Sequence, residues 1–136
     1  MADLDGGSDR SIEIWAHNPS LAAEETTVSW GHRGTDGRNL GFNFGNNGVW
    51  GAVTHYGGAY DVGWGATTPS AAAWHHLVYT YSNVVTRVYI DGALANSRTL
   101  GAALNTYANE PINLGCQRNT SNGVRSFFYS GYLNTV

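Results

Sequence analysis

The chain has 136 residues, which suffices for one domain but not for two. Its ten acidic and seven basic residues, all of the latter arginine, give a net charge of -3, which argues against nucleic-acid binding. The single cysteine excludes an internal disulfide, and the apolar runs are too short to span a membrane. The acidic, glycine-rich N-terminus carries no signal-peptide pattern.

Short apolar and aromatic runs, broken by Gly, Asn, Asp or Pro, predict about ten β-strands. In chain order they cover residues 11–17, 26–32, 39–46, 49–56, 60–65, 74–82, 84–91, 94–100, 111–116 and 126–133. The helical signal is limited to single turns at 20–25 and 70–73, which are too short to cross between parallel strands. We therefore expect an all-β fold, an antiparallel two-sheet β-sandwich.

The third predicted strand alternates between an apolar face and a face of small residues. The small face comprises Gly41, Asn43 and Gly45. Because small side chains let another group approach a sheet closely, we expect this face to leave room for a groove or a ligand. Further along, Asp91-Gly92 is a pair favoured in tight hairpin turns, and Ser82-Asn83 predicts a second hairpin.

Residues 74–81 read Trp-His-His-Leu-Val-Tyr-Thr-Tyr, and residues 87–94 read Arg-Val-Tyr-Ile-Asp-Gly-Ala-Leu. Together they resemble the central hairpin of LamG-like jelly-roll domains, in the concanavalin A-like lectin/glucanase superfamily. Residues 11–15 and 112–115 resemble an early and a late strand of the same family. The resemblance implies a β-sandwich of the jelly-roll, concanavalin A-like type.

Residues 27–34 and 42–46 resemble a subgroup found in large exported proteins of environmental bacteria. The family usually has one more strand before residues 11–15, and its last strand runs further past Gly131 than this chain does. Either the sheet edges are trimmed or the chain is a fragment of a larger protein. We therefore expect residues 11–136 to form a sandwich that lacks a terminal strand, preceded by a flexible or partial first strand at residues 1–10.

Catalysis in the related glucanases depends on a Glu-x-Asp-x-x-Glu strand, since glycoside hydrolysis needs paired carboxylates. None of the glutamates of this chain lies in that pattern. Adjacent Glu24 and Glu25 would point to opposite faces of a strand, and we expect them in an exposed loop instead. The sequence therefore predicts no catalytic residue.

A saccharide site needs aromatic rings for the C–H faces of the sugar and fixed donors and acceptors for its hydroxyls. Side chains of both kinds occur on neighbouring predicted strands and on one late loop. The candidate ligand-binding residues are His32, Arg33, Asn43, Asn46, Trp50, His55, Tyr56, Asp61, Trp64 and Arg118. Other aromatic residues are expected in the core: Trp15, Trp30, Trp74 and Tyr89. For Trp50, Tyr56 and Trp64, core and binding platform remain open alternatives.

No pair of histidines shows the spacing of a transition-metal site. Some relatives bind calcium at the rim of the sandwich through Asp, Asn and backbone oxygens, which are the hard ligands this ion prefers. The calcium candidates here are Asp36, Asn39 and Asp61. Turn capping is the simpler explanation of these residues, so we expect no cofactor, with calcium as the one alternative.

The principal hypothesis is a non-catalytic, lectin-like module that binds an oligo- or polysaccharide, with neither nucleic acid nor membrane as a partner. The family resemblance implies a parent protein that is extracellular or at the cell surface. One alternative is an adhesion or spacer domain that binds a protein or nothing. A second alternative is a divergent glycoside hydrolase.

Overall fold

The computed structural model describes residues 4–136, and within that range it contains strands and no α-helix. The strands are β1 (Arg10–His17), β2 (Thr26–Trp30), β3 (Leu40–Asn43), β4 (Val53–Thr54), β5 (Trp74–Ser82), β6 (Val85–Ile90), β7 (Ala93–Thr99), β8 (Asn113–Leu114), β9 (Gln117–Arg118), β10 (Arg125–Ser126) and β11 (Tyr132–Asn134). No helix among these residues is long and apolar enough to cross a membrane.

The strands form two main sheets in which all pairings are antiparallel. One sheet has the order β11-β1-β5-β6-β7, and the other has the order β4-β3-β2-β8. A separate ribbon joins β9 to β10. The predicted all-β, antiparallel sandwich of the jelly-roll type is confirmed.

The core lies between the two sheets and contains side chains from both. The five-stranded sheet contributes Ile14, Ala16, Leu77, Tyr79, Tyr81, Val88 and Ile90. The four-stranded sheet contributes Val28, Trp30, Leu40, Phe42 and Val53. Phe42 lies 6.1 Å, between ring centroids, from both Trp64 and Tyr79, so aromatic contacts join the layers at the centre.

The β5–β6–β7 meander follows the sequence closely. Asp91 and Gly92 have φ values of 51° and 83°, the positive angles of a two-residue hairpin turn. The preceding turn is formed by Asn83 and Val84, one residue later than predicted, because Ser82 still pairs with Val85.

The strands predicted at residues 49–56 and 60–65 are mostly loop. Only β4 forms in the first, and the second contributes a single bridge between Val62 and Val53. The Oδ1 atom of Asn47 accepts hydrogen bonds from the backbone N–H groups of Val49 and Trp50, at 2.8 and 3.2 Å. This local turn competes with a sheet ladder, which explains why Val49 and Trp50 are not in a strand.

Trp15 and Trp74 do not lie in the core, where they were expected. They are 45% and 47% exposed on the outer face of the five-stranded sheet, whereas Trp30 is buried as predicted. The ring of Trp15 lies 5.2 Å from that of His76, and the ring of Trp74 lies 5.7 Å from that of His17. The inner face is filled by Ile14 and Ala16 of β1 and by Leu77, Tyr79 and Tyr81 of β5, so strand alternation places these two indoles outside.

The segment before β1 was predicted to be flexible or a partial first strand. Of that segment, Met1–Asp3 lie outside the described residues. Gly6 forms a bridge with Thr106, and the buried guanidinium of Arg10 donates to the Leu4 and Gly6 carbonyls at 2.8 and 2.7 Å. These bonds attach residues 4–10 to the body of the sandwich.

Val84 has a φ of 60°, a left-handed conformation that is costly for a β-branched residue. We expect Val84→Gly to raise the free energy of unfolding by about 1 kcal/mol, because Asn-Gly is a favoured pair in this turn. Urea denaturation would measure the change. Val85→Gly, a control inside β6, should lower the stability, and a Val84→Gly variant less stable than the wild type would contradict the prediction.

Candidate functional site

The small face of β3 is covered by protein. A Cβ on Gly41 would lie 2.3 Å from Nε2 of Gln117, so glycine is required for the amide to occupy this position. Gln117 is 1% exposed and donates from Nε2 to Oε1 of Glu24 at 2.9 Å and to Oγ1 of Thr26 at 2.8 Å. Its Oε1 accepts a hydrogen bond from Nδ2 of Asn39 at 3.2 Å. The expectation that this face leaves room for a ligand is therefore wrong at Gly41.

Glu24 connects this buried network to Arg33. Its Oε2 lies 3.5 Å from Nη1 of Arg33, and only 5% of its side chain is exposed. Burial raises the pKa of Glu24, and the positive charge of Arg33 opposes that shift. Glu25 is also buried, where it accepts hydrogen bonds from Asn18 and Ser130. The expectation that both glutamates lie in an exposed loop is therefore wrong.

Arg33 is held between two aromatic rings. Its guanidinium carbon lies 4.4 Å from the ring centroid of Phe127 and 5.6 Å from that of Tyr56. The backbone N–H of Arg33 donates to the carbonyl of Arg118 at 3.2 Å, which ties the segment after β2 to β9. A carboxylate and two rings thus fix the position of this guanidinium.

Two open clefts meet at Arg33 and Tyr56, with volumes of about 530 and 550 Å³. The first cleft is also lined by Glu24, Trp50, Gly57, Asp61 and Phe127. The second is also lined by His32, Thr35, Tyr107, Asn119 and Ser121. We call the two clefts together the Arg33 groove.

Tight loops position two of the aromatic rings of the groove, those of Trp50 and Tyr56. Trp50 is 37% exposed, and its carbonyl accepts a hydrogen bond from Nδ2 of Asn43 at 3.0 Å. Tyr56 has a φ of 63°, and the next residue, Gly57, has a φ of 97°. A Cβ on Gly57 would lie 2.5 Å from Cγ of Asp36, so this turn requires glycine.

Asp61 supplies a second carboxylate to the first cleft. Its Oδ1 accepts hydrogen bonds from the backbone N–H of His55 at 2.8 Å and from Oγ1 of Thr54 at 3.2 Å. Burial raises the pKa of Asp61, while these bonds and the charge of Arg33 oppose the shift. The position of the carboxylate is therefore fixed, and its remaining lone pairs can accept a hydrogen bond from a hydroxyl group.

The second cleft has a rigid wall of stacked groups. The rings of His32 and Tyr107 are 4.1 Å apart and nearly parallel, at 12°. Arg38 lies 4.2 Å from the centroid of the Tyr107 ring, and Nδ1 of His32 is 3.1 Å from Oε1 of Glu110. Glu110 also pairs with Arg118. Burial lowers the pKa of His32, and the two arginines lower it further.

Five of the ten predicted ligand-binding residues line the Arg33 groove. They are His32, Arg33, Trp50, Tyr56 and Asp61. Arg118 is not among the lining residues and contacts the groove wall through Glu110. Asn46 is exposed and donates to the Leu21 carbonyl at 3.3 Å.

The other three predicted ligand-binding residues are buried and cannot reach a ligand in the groove. Trp64 is 1% exposed and packs on Phe42 in the core. His55 is fully buried, with Nδ1 3.0 Å from the Asn39 carbonyl. Asn43 is also fully buried and bonds to the backbone of the loop that carries Trp50. The prediction that these three residues contact a ligand is therefore wrong. His55 and Asn43 are bonded within the protein, and Trp64 lies in the core.

Sequence reasoning missed several groove residues. The sequence predicts an exposed loop at Glu24, and it marks neither Phe127 nor Tyr107 as a groove residue. Phe127 reaches Arg33 across more than 90 residues of sequence, and no motif marks that contact. The one available signal was the small face of β3, which requires that another group fill the space above it.

Residues 4–136 contain no group of three or more His, Cys, Asp or Glu side chains arranged to hold a metal ion. Of the three calcium candidates, Asn39 and Asp61 are buried and bonded within the protein, and only Asp36 is exposed. Calcium binding stays a prediction. The burial of Asn39 and Asp61 and their hydrogen bonds within the protein argue against it.

The architecture defines a concanavalin A-like jelly roll with an aromatic groove at its surface. A family model, Laminin_G_3, described as concanavalin A-like lectin/glucanases superfamily, matches residues 2–136. The chain belongs to this family. No curated protein matches it in sequence.

Among solved structures, the chain is similar to Domain 4 of AbnA, a GH43 extracellular arabinanase from Geobacillus stearothermophilus, in complex with arabinotriose. The TM-score is 0.60 at 19% sequence identity, and the match covers 95% of this chain and 60% of that chain. At this identity the likeness concerns the fold.

The buried imidazole of His55 makes stability depend on pH. Burial lowers its pKa to about 4 from an ordinary value of 6.5. The unfolded chain therefore takes up a proton first, and stability present above pH 6.5 is lost as the pH falls towards 4, by about 3 kcal/mol. Urea denaturation between pH 7 and pH 4 would measure the loss.

Glu24 and Asp61 change the stability in the opposite direction. Their pKa values are raised in the folded state, so protonation of these carboxylates at low pH favours the folded chain. The matched comparison is His55→Asn, which keeps a donor for the Asn39 carbonyl but does not titrate in this range. The wild type should lose more stability than this variant on acidification. If the wild type and His55→Asn lost stability equally between pH 7 and pH 4, His55 would not be the cause of the pH dependence.

Proposed function

We propose that the domain is a non-catalytic carbohydrate-binding module that holds an oligo- or polysaccharide in the Arg33 groove. The observation that carries this proposal is the presence of Trp50 and Tyr56 in one groove with the fixed polar groups of Arg33, Glu24 and Asp61. Aromatic rings pack against the C–H faces of sugars, and fixed donors and acceptors meet their hydroxyls.

The charges of the first cleft favour a neutral ligand. Arg33 is the cation of this cleft, which is also lined by the carboxylates of Glu24 and Asp61. An acidic saccharide would meet both carboxylates, whereas hydroxyl groups can bond to all three side chains. Because these groups are held before binding, ordering them costs little of the binding free energy.

The structural neighbour supports a saccharide as the ligand class. Its domain was solved in complex with arabinotriose and belongs to an extracellular arabinanase. We propose that the present domain likewise serves a larger exported bacterial protein, outside the cell or at its surface. In such a parent protein, a module of modest affinity binds more tightly overall when it is repeated or linked to a second binding domain.

The carboxylates of the first cleft suit binding better than catalysis. Glu24 accepts from Gln117 on one oxygen and faces Arg33 with the other, and Oδ1 of Asp61 accepts two hydrogen bonds. Glycoside hydrolysis needs one carboxyl to release a proton and another to attack or to activate water. Three of the four carboxylate oxygens are thus already bonded within the protein, which supports binding over catalysis.

Calorimetric titration with arabinotriose, after a glycan array, tests this proposal. We expect Trp50→Ala to weaken binding by about tenfold, since one stacking contact contributes roughly 1.4 kcal/mol. Trp15→Ala is the matched control, because this indole is similarly exposed but lies on the outer face of the other sheet. The control should bind as the wild type does.

Three results would contradict the proposal. Absence of wild-type binding to any glycan would favour an adhesion or spacer domain. Equal losses in Trp50→Ala and Trp15→Ala would place the ligand elsewhere. Release of reducing sugar from arabinan by the purified domain, lost on Glu24→Gln, would establish a divergent hydrolase.

A further inference from the structure

Three polar side chains form a hydrogen-bonded chain beside the start of β5. Oγ of Ser70 lies 3.0 Å from Nε2 of His75, and Nδ1 of His75 lies 2.8 Å from Oδ2 of Asp91. A serine, an imidazole and a carboxylate in this order are the groups that activate a hydroxyl for attack on a carbonyl carbon. None of the three lines the Arg33 groove, so a reaction here goes beyond the proposed function.

The two hydrogen bonds fix where the imidazole carries its proton. Partial burial acts to raise the pKa of Asp91, but hydrogen bonds with His75 and His76 outweigh it and lower the pKa, so the carboxylate is ionised at neutral pH. An ionised carboxylate only accepts hydrogen bonds, so Nδ1 of His75 must donate. In the neutral ring Nε2 is then an acceptor, and its lone pair faces the hydroxyl proton of Ser70.

Tight turns hold both ends of this chain of groups. Oδ1 of Asp91 accepts from the N–H of His76 at 2.9 Å, and the N–H of Asp91 donates to the His76 carbonyl at 2.8 Å. Two residues after Ser70, Ala72 has a φ of 59°, and its N–H donates to the carbonyl of the buried Asn18 at 2.7 Å. A left-handed alanine is costly and persists only where its surroundings hold it. The hydroxyl and the carboxylate are therefore positioned before any ligand binds.

The serine is accessible, whereas the imidazole is sheltered. Ser70 is exposed, but only 13% of the His75 side chain is, and its ring lies edge-on to the buried ring of Phe44 at 5.9 Å. Asp91 also lines an open cleft of about 290 Å³, together with Thr67 of the loop before Ser70. The other lining residues of this cleft are apolar: Ile90, Ala93, Leu94 and Ala95. A small apolar cleft fits a short hydrocarbon chain.

We propose that Ser70 is a nucleophile that is acylated by esters of short-chain fatty acids. Oγ of Ser70 attacks the carbonyl carbon of the ester while its proton moves to Nε2 of His75. The C–O bond to the alcohol then breaks with its electron pair on the oxygen, and His75 returns the proton to that oxygen. The products are an alcohol and an acyl group on Ser70, with the apolar chain in the cleft beside Asp91. The Arg33 groove keeps its non-catalytic role.

The probe is p-nitrophenyl butyrate, added to the whole chain. We expect release of p-nitrophenol and, after acid quenching, a butyryl group on Ser70 in peptide mass spectrometry. Ser82 is the internal control, because its hydroxyl donates to Asp9 at 2.7 Å without an imidazole partner. Ser70→Ala should lose the reaction, and Ser82→Ala should keep it.

Two further variants test the roles of the imidazole and the carboxylate. His75→Gln should slow the release by about a hundredfold or more, the contribution of a positioned general base. Asp91→Asn keeps the turn, because asparagine also adopts positive φ values. Its NH₂ group cannot accept from Nδ1, so His75 should move its proton to Nε2 and the release should slow as well. The ¹⁵N NMR signals of the imidazole distinguish the two tautomers, which a loss of packing alone would not exchange.

Thr67→Trp tests the cleft, since this exposed loop residue lines it. An indole there should slow the reaction of the butyrate ester by about tenfold relative to the acetate ester, because the longer chain depends on the apolar walls. Equal slowing of both esters would overturn the assignment of the acyl chain to this cleft.

Equal release of p-nitrophenol by the wild type and Ser70→Ala, or equal butyrylation of Ser70 and Ser82, would overturn the proposal. Unchanged release in Asp91→Asn together with the altered tautomer would also overturn it. Circular dichroism would confirm that the variants fold. If His75→Gln does not fold, Asp91→Asn and Ser70→Ala decide the question.

Discussion

The buried amide of Gln117 fixes the geometry on which the Arg33 groove depends. It fits above β3 only because Gly41 has no side chain. Both of its amide atoms are bonded, and one bond holds Glu24, which in turn lies against Arg33. A buried side-chain amide with both of its polar atoms bonded is held rigidly, so the sheet beneath fixes the position of Glu24 and Arg33, which lie outside the strands.

This arrangement separates the core of the domain from the groove in which we propose that a saccharide binds. The inner faces of the two sheets supply stability through an apolar core, and loops at the four-stranded sheet present Trp50, Tyr56 and Arg33. Loops on a rigid scaffold commonly carry binding sites, because their side chains do not have to pack in the core. The saccharide site that we propose in the Arg33 groove would follow that rule, because its aromatic and polar side chains are positioned before a ligand binds.

The sequence predicted the sandwich well and five of the residues that line the Arg33 groove. Apolar alternation and the Asp91-Gly92 turn were sufficient for the β5–β6–β7 meander, because those signals are local. Alternation separates the two faces of a strand but does not say which face is buried when both are bulky, hence the errors at Trp15 and Trp74. Glu24 and Phe127 meet Arg33 through tertiary packing alone, which no local pattern records.

Saccharide binding in the Arg33 groove is tested most directly by NMR titration of the whole chain with arabinotriose, followed at the tryptophan indole N–H signals. The proposed site predicts that the Trp50 signal moves in a saturable way. The signals of Trp15 and Trp74, exposed on the opposite sheet, should stay in place. Shifts at Trp15 or Trp74 with none at Trp50 would contradict the assignment of the ligand to this groove.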